Sequence, residues 1–448
     1  MTQTLEQLSA QVLAAAKQAG AQAADTLAVQ RSSVSVDVRA GTLEQAERAE
    51  SIDIGLRVFV GQRFANVSIS DRAHGAIAMM AERAVAMARE APQDRFAGLA
   101  DPGQLCQSTD SRPLELYDPA PEPTPQDLMQ DAQAAEAAAL DNPAVSQVQS
   151  ASAAYGTSRV HLAASNGFSA GYTRSTRGLS CVAIAGTGTS MERDYDGDSR
   201  IFQSDLTPAH DIGASAAARA AARIGARKPP TGKFPVLFDE RIAASLLGHL
   251  LAAVNGAAIA RGGSFLRDAI GTQILPKGLS VLEDPHRPRV SGSRLFDGEG
   301  LPTQPRQIVK DGVLTGWTLD LANARKLGMA PSGNAARGTS APPSPMNWNV
   351  ALSQGQQSRA ALLRDMGTGL LVTSLIGATI NPNTGDYSRG AAGHWVENGA
   401  IAYPVNECTI AGNLHEMLGA LIPANDARLH LSRPVPSLLV PRMTLAGA

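Results

Sequence analysis

Two consecutive prolines, Pro229 and Pro230, divide this 448-residue chain more sharply than any other feature of its sequence. Proline fixes its own backbone angle, donates no hydrogen bond and restricts the residue before it, so neither helix nor sheet continues easily through the pair. Upstream, apolar residues recur at helical spacing or alternate with polar ones, whereas downstream glycine, proline, threonine and short apolar runs prevail. We therefore predict an α+β fold, in which an N-terminal region with a sheet and flanking helices precedes a β-rich C-terminal domain.

The length is typical of two to three domains, and we predict three, over residues 1–92, 115–226 and 230–448. The first is an α+β unit. Apolar spacing and alternation predict its elements: a helix over 4–20, a strand around 34–38, hairpin strands over 51–60 and 64–69, and a helix over 71–90.

The central domain follows a connection over residues 93–124 that has little periodicity and many Pro and Asp residues. Its predicted elements are a helix over 124–140, four strand-like segments between 145 and 191, and an alanine-rich helix over 209–226. Beyond the prolines we expect a strand over 234–238 and a helix from Glu240, with Asp239 as its N-cap.

The charge and cysteine content indicate a cytoplasmic protein that does not act mainly on nucleic acid. Lys and Arg total 39 against 41 Asp and Glu, and no basic cluster of the kind that binds phosphates is present in the sequence. Three scattered cysteines are typical of a reducing compartment. The sequence shows neither a signal peptide nor the roughly 20 uninterrupted apolar residues of a membrane span.

Familiar catalytic motifs are absent from the sequence. There is no phosphate-binding loop and no GxSxG nucleophile. His415-Glu416 begins like a zinc-protease helix, but Gly419 and Ala420 stand where a second histidine belongs. The eight histidines do not pair at metal-ligand spacing on one element, so we predict neither a catalytic residue nor a metal ligand in this chain.

Several stretches carry a family resemblance. The most specific reads Asn-Pro-Asn-Thr-Gly-Asp-Tyr-Ser-Arg-Gly over residues 381–390, and the others lie at 55–61, 230–239, 262–271, 309–328 and 397–414. In these stretches the chain resembles the TldD/PmbA family, specifically its PmbA (TldE) branch. The resemblance covers nearly the whole chain.

The resemblance implies a cytoplasmic heterodimer of two related subunits that degrades or processes peptides and unfolded segments. In that pair the TldD-type subunit carries an HExxxH zinc helix and a further ligand near its C-terminus. We therefore expect no cofactor in this chain and zinc in its partner. An older label for the branch, a modulator of DNA gyrase, leaves a regulatory role open.

The window that matches the zinc helix reads Ala-Ser-Leu-Leu-Gly-His over residues 244–249. A catalytic zinc needs about three protein ligands, and the motif's glutamate activates the bound water. Ala244 cannot bind a metal, Ser245 has no carboxylate, and only His249 remains. The tail over residues 429–448 also has no cysteine. We therefore interpret Ala244, Ser245 and His249 as positions of a degenerate zinc helix. For His249 we favour a packed side chain over a functional one.

The 381–390 stretch has two interpretations. It could shape a substrate cleft or a partner interface through Asn381, Asn383, Gly385, Asp386 and Arg389, with an ion pair between the last two. Alternatively, Asn-Pro and Thr-Gly-Asp simply form a turn.

We predict a zinc-free, non-catalytic subunit that holds an extended peptide, by strand addition, beside a TldD-type partner. Two alternatives remain open at this stage. The chain could be a stand-alone peptidase with an unrecognised metal site, or a regulatory binding protein that acts without a protease.

Overall fold

The computed structural model describes residues 3–447, and it confirms a mixed α+β fold. The region before the two prolines folds into helices and long strands. In chain order these are α1 (Leu5–Gln18), β1 (Ala23–Arg39), β2 (Thr42–Val60), β3 (Arg63–Ile69), α2 (His74–Glu90), α3 (Pro125–Leu140), β4 (Val145–Ala164), β5 (Ser169–Ala185), β6 (Glu192–Arg200) and α4 (Ala209–Ala221).

The region after the prolines is richer in short strands. Its elements are β7 (Gly232–Phe238), α5 (Glu240–Ala253), α6 (Gly256–Ala260), β8 (Val281–Glu283), β9 (Arg306–Lys310), β10 (Val313–Leu314), α7 (Leu321–Leu327), β11 (Ala335–Ala336), β12 (Ser344–Pro345), β13 (Val350–Leu352), α8 (Arg359–Met366), β14 (Gly369–Ile380), β15 (Asp386–Glu397), β16 (Ala400–Asn413), α9 (Leu414–Gly419), β17 (Ile422–Pro423) and β18 (Leu438–Ala446).

The first six strands form one antiparallel sheet in the order β3-β2-β1-β4-β5-β6. Successive side chains on a strand point to opposite faces, and β1 shows which face is covered. Ala24, Val34 and Val36 are buried in clusters with α1 to α4, whereas Leu27 and Val29 belong to the other face. All four helices therefore cover one face of the sheet and leave the other to the C-terminal domain.

All four predicted helices of this region form, although α4 ends at Ala221 rather than 226, and the starts of α1 and α3 are set by local capping residues. At α1, Thr4 accepts from the backbone N–H of Gln7, whose side chain in turn accepts from the backbone of Thr4. At α3, Thr124 caps the helix in the same way through Asp127, with Pro125 at the first helical position. Each cap satisfies backbone groups that the helix itself leaves unpaired.

The strands differ more from the prediction. Residues 42–50 are exposed throughout and carry no apolar alternation, yet they form half of β2 because they pair along β1. Between 145 and 191 the structure has two long strands, β4 and β5, in place of four segments. Polar residues within them, such as Thr157 and Ser158, break the apolar pattern but continue the ladder, since their backbone pairs with β1 and β5.

The C-terminal domain is built around a second six-stranded sheet in the order β16-β15-β14-β7-β18-β17. An additional pairing of β16 with β18 closes it on itself. The strand β7 lies parallel to β14 and antiparallel to β18. The helix α5 follows directly, and Asp239 caps it by accepting from the N–H of Arg241 at 3.2 Å.

The main apolar core of this domain lies between α5 and the closed sheet. It joins residues such as Phe238, Leu246, Leu250 and Val372, and it also buries Trp317 and Trp395. This packing fixes the rotation of α5 and so determines which of its residues face outward. Among the helices of residues 3–447, none is long and apolar enough to cross a membrane.

Candidate functional site

A cleft with a volume of about 1230 Å³ lies between the uncovered face of the first sheet and the C-terminal domain. One wall of the cleft is formed by alternate residues of β4. Ser152 and Ala154 line the cleft, while Ala151 and Ala153 point to the other face and are buried under α3 and α4. Its floor comes from loop residues of the C-terminal domain and from α5.

The degenerate zinc helix is α5, and it borders this cleft. Arg241 and Ala244 line the cleft wall. Arg241 is held by Asp194 of β6 at 3.1 Å and by the capping residue Asp239 at 3.3 Å, so it ties α5 to the first sheet. Ala244, where the first zinc ligand of an HExxxH helix would stand, presents only a methyl group.

His249 packs as a neutral ring one turn further along α5. Its ring lies edge-on to Tyr387 of β15, with centroids 5.7 Å apart and planes at 78°. Burial lowers the pKa of His249, and the nearby cation of Arg389 lowers it further. Burial raises the pKa of Tyr387 to about 12. A guanidinium beside the single imidazole makes this position unfavourable for a metal cation.

Three polar atoms at this position have no hydrogen-bond partner within residues 3–447: Ser245 Oγ, His249 Nε2 and the hydroxyl of Tyr387. They include no carboxylate and only one metal-binding nitrogen. In the described part of the chain, no group of three or more His, Cys, Asp or Glu residues is arranged to hold a metal ion. The residues present do not fit a catalytic zinc, which needs about three such ligands.

The 381–390 stretch forms the turn between β14 and β15 with residues 381–385 and begins β15 with residues 386–390. Asn381 Oδ1 accepts from the N–H of Asn383 at 3.0 Å, and Gly385 has a φ of +78°, which favours glycine. The expected ion pair is not formed. Asp386 instead accepts from Thr384 and Asn413, and Arg389 donates to the carbonyl of Gly377 at 2.6 Å.

The structure separates these candidate residues from the large cleft. Asn383 lines a second, smaller pocket of about 680 Å³, together with Phe265 and His415. Ala244 lines the large cleft, and Arg389, within β15, lies near His249. His415 is exposed and packs edge-on against Phe265, with ring centroids 4.9 Å apart.

A free strand edge lies beside α5. The strand β7 pairs with β14 only from Leu370 to Val372, and residues 376–379 beyond this point are exposed. Ile376 is 71% exposed on this edge. Unpaired backbone groups on an exposed edge can accept a further strand from another chain.

The arginines of the cleft were not predicted from the sequence. Nine arginines line it against three aspartates. They come from strands, helices and loops spread over some four hundred residues, from Arg31 to Arg433. The only close pairs in the sequence are Arg289 with Arg294 and Arg428 with Arg433, and two arginines do not form a basic run.

Sequence models of one family match most of the chain. The PmbA/TldA metallopeptidase domain 1 matches residues 24–88, its central domain matches 118–224, and its C-terminal domain matches 231–447.

Curated relatives are similar over nearly their whole length. The metalloprotease PmbA of Escherichia coli O157:H7 is 38% identical over 439 residues, which cover 97% of this chain and 94% of the relative. The metalloprotease PmbA homolog of Haemophilus influenzae is 35% identical over 449 residues, which cover 99% and 96%.

Solved structures share the fold. A candidate modulator of DNA gyrase from Bacteroides thetaiotaomicron superposes with a TM-score of 0.91 at 27% identity and full coverage of both chains. TldE from Thermococcus kodakarensis gives a TM-score of 0.84 at 17% identity, covering 98% of this chain and 100% of that one, which shows the fold alone. The domain matches and the full-length identity together establish that this chain belongs to the PmbA/TldA metallopeptidase family.

Proposed function

We propose that this chain is the zinc-free subunit of a cytoplasmic heterodimeric peptidase, in which a TldD-type partner holds the zinc and cleaves peptides or unfolded segments. The observation that carries the proposal is the chemistry of α5. Ala244 and Ser245 occupy the two positions where the motif needs a ligand and a carboxylate base, and they supply neither.

The role of His249 follows from its surroundings. One imidazole does not hold a catalytic zinc, and the cation of Arg389 lies close to it. The ring is instead part of the packing between α5 and β15, against Tyr387. This chain therefore contributes binding and positioning to the reaction, while the chemical step belongs to the partner.

The peptide would be held in extended form. Over residues 376–379, β14 has no partner strand on its β7 side in the described part of the chain, and one of its carbonyls, that of Gly377, accepts from Arg389. Strand addition uses the backbone groups of such an edge for affinity without selecting a sequence, which suits an enzyme that takes unfolded segments. Folded proteins present few free strands, so they would be excluded.

The relatives support a peptidase context. Two of them are called metalloprotease PmbA or its homolog, and a structural neighbour is called TldE. Both subunits of such a pair would share this fold, so we expect a pseudo-two-fold heterodimer in which matching surfaces meet.

Metal analysis of the isolated chain separates this proposal from a stand-alone metallopeptidase. We expect purified protein, dialysed against buffer with micromolar zinc, to retain far less than one zinc per chain. Stoichiometric zinc would overturn the proposal.

Affinity purification from the native cell separates it from a regulatory protein without a protease. The chain should recover a related protein that carries an HExxxH helix. Recovery of other proteins with no such partner would favour the regulatory role that the gyrase-modulator name of one structural neighbour suggests.

A further inference from the structure

The cleft carries an excess of guanidinium groups that its own carboxylates do not use up. Of the nine arginines that line it, seven form ion pairs with Asp or Glu. Within residues 3–447, Arg294 and Arg433 have no such pair. A buried guanidinium whose nitrogens have no hydrogen-bond partner would be a candidate for binding a ligand.

Arg337 is such a group. Its side chain is only 1% exposed, and its Nη1 donates to Asp25 Oδ1 at 2.5 Å. Its Nε and Nη2 are buried and have no hydrogen-bond partner in the described part of the chain. Buried donors are normally satisfied, so a free pair of this kind needs an explanation.

The two free atoms form one edge of the guanidinium. The N–H of Nε and an N–H of Nη2 point the same way, and this edge matches the two oxygens of a carboxylate. Asp25 occupies a different edge of the same group, through Nη1. Arg337 lines the cleft, so a second carboxylate can pair with this edge without releasing the first once the atoms that bury it move aside.

Arg294 lies on a loop that is hydrogen-bonded to the loop of Arg337. Gly298 donates to the carbonyl of Ala335 at 2.6 Å, and Ala335 donates to Asp297 at 3.0 Å, so the loops that carry Arg294 and Arg337 are joined. The guanidinium of Arg294 stacks on Trp348, 3.5 Å from the ring centroid, and its Nε donates to the carbonyl of Gly292. Stacking fixes the plane of the group, and neither terminal nitrogen has a hydrogen-bond partner among residues 3–447.

The local charge favours an anion. Asp25 is shared between Arg337 and Arg57, so one carboxylate serves two guanidiniums. Burial raises the pKa of Glu299, the other carboxyl near Arg57, to about 8 and that of Asp297 in the cleft wall only to about 6, so Asp297 keeps its charge at neutral pH. The guanidiniums of Arg57, Arg294 and Arg337 then outnumber the charged carboxylates of Asp25 and Asp297. Burial lowers the pKa of Arg294 to about 10, which still leaves it protonated.

The rest of the wall is apolar. Leu27, Val29, Leu162 and Phe296 line the cleft near these arginines and belong to one buried cluster. A site with a few placed charged groups and an apolar wall suits a small organic acid or a peptide end better than a nucleic-acid backbone, which presents a line of phosphates.

We propose that the cleft is a carboxylate-binding site for peptides, in which Arg337 takes the carboxylate side-on, Arg294 adds a second cation, and the apolar wall receives the neighbouring side chain. The carboxylate is either the free C-terminus of the peptide or an acidic side chain within it. The site needs only this chain, so it goes beyond the proposed function and stands or falls without the zinc subunit.

The test measures binding of fluorescein-labelled alanine-leucine peptides to the isolated chain by fluorescence anisotropy. One pair of peptides differs only in a free or an amidated C-terminus, and a second, amidated pair differs only in an internal Glu or Gln. In one of the two pairs, we expect the peptide with the carboxylate to bind about tenfold more tightly than the peptide without it. The pair that shows this difference identifies the source of the carboxylate. Equal affinity within both pairs would overturn the proposal.

Variants locate the site. Arg337→Lys keeps the charge beside Asp25 but loses the side-on edge, and Arg294→Gln removes the second cation while keeping a polar side chain. Each should weaken binding of the acidic peptide about tenfold and leave the neutral peptide unchanged. The matched control is Arg112→Gln, an 89% exposed arginine outside the cleft, which should change neither.

Circular dichroism and thermal melting confirm that each variant is folded before its affinity is compared. Unchanged binding in both folded cleft variants would contradict the proposal. So would a single-stranded oligonucleotide that binds more tightly than the acidic peptides and loses affinity in the same two variants, because the site would then recognise phosphate.

Discussion

The ring of His249 lies edge-on to that of Tyr387, with centroids 5.7 Å apart, and neither His249 Nε2 nor the Tyr387 hydroxyl has a hydrogen-bond partner in the described residues. On a zinc helix this histidine would be a ligand. Here burial and the charge of Arg389 lower its pKa, and it serves as one of the rings that hold α5 against β15. A substitution of His249 can therefore distinguish a packing role of this ring from a catalytic one.

His249→Phe should therefore preserve both stability and function. Phenylalanine keeps the ring contact and removes a buried nitrogen without a partner, so we expect the free energy of unfolding to change by less than about 1.5 kcal/mol. Peptidase activity of the mixture with the zinc subunit should match that of the parent chain. A loss of activity in a stably folded His249→Phe protein would mean that the imidazole acts in the reaction.

Two glycines in helices should respond in opposite directions to alanine. In α4, a Cβ on Gly213 would lie 2.0 Å from the carbonyl oxygen of Ala135 in α3, so Gly213→Ala forces the helices apart. We expect a loss of about 1–3 kcal/mol in urea unfolding. In α5, a Cβ on Gly248 meets no atom within 4 Å, so Gly248→Ala should stabilise by about 0.5–1 kcal/mol. Equal effects of the two changes would contradict the observed packing.

Arg337 joins the C-terminal domain to the first strand through Asp25. Because Asp25 keeps Arg57 as a partner, Arg337→Ala should cost about 1.5–3 kcal/mol, the range for a hydrogen bond to a charged group. The matched control is Arg48→Ala, whose ion-paired side chain is 61% exposed and should contribute only about 0–1 kcal/mol. Thermal melting of both variants decides this, and similar shifts would show that the buried contact does not stabilise the protein.

Stability should fall as the pH rises through neutrality. Burial raises the pKa of Glu299 to about 8, so the folded chain keeps a proton that the unfolded chain releases above about pH 4.5. The resulting stability is complete below that pH and is lost as the pH rises through 8, with a slope of up to about 1.4 kcal/mol per pH unit.

Glu299→Gln should flatten this slope between about pH 6 and 8. Asp297, whose pKa burial raises to about 6, should leave a slope of the same sign at lower pH. Urea unfolding at a series of pH values measures both, and Glu47→Gln on the exposed part of β2 is the control. An unchanged slope in Glu299→Gln would show that this carboxyl does not carry the effect.

Local signals in the sequence were sufficient for the starts of several helices. Capping residues such as Thr124 and Asp239 act within a few positions, so the starts of α3 and α5 could be predicted. The interpretation of α5 as a degenerate zinc helix rests on Ala244 and Ser245, since neither side chain can do what the motif requires, and it stays a prediction.

Long-range pairing could not be read in the same way. Residues 42–50 form a strand only because β1 lies beside them, and nothing in their own pattern indicates it. The contact between Asp25 and Arg337 spans 312 positions of the chain. The cleft and its free guanidinium edge depend on such contacts, so they became visible only in the folded protein.

The most direct test of the central claim is a peptidase assay on three samples: this chain alone, the TldD-type subunit alone, and their mixture, each with the same unfolded peptide substrate. We predict no turnover by this chain and full activity only in the mixture, with the zinc retained by the partner. Zinc-dependent cleavage by this chain alone, abolished by a chelator and restored by zinc, would contradict the account.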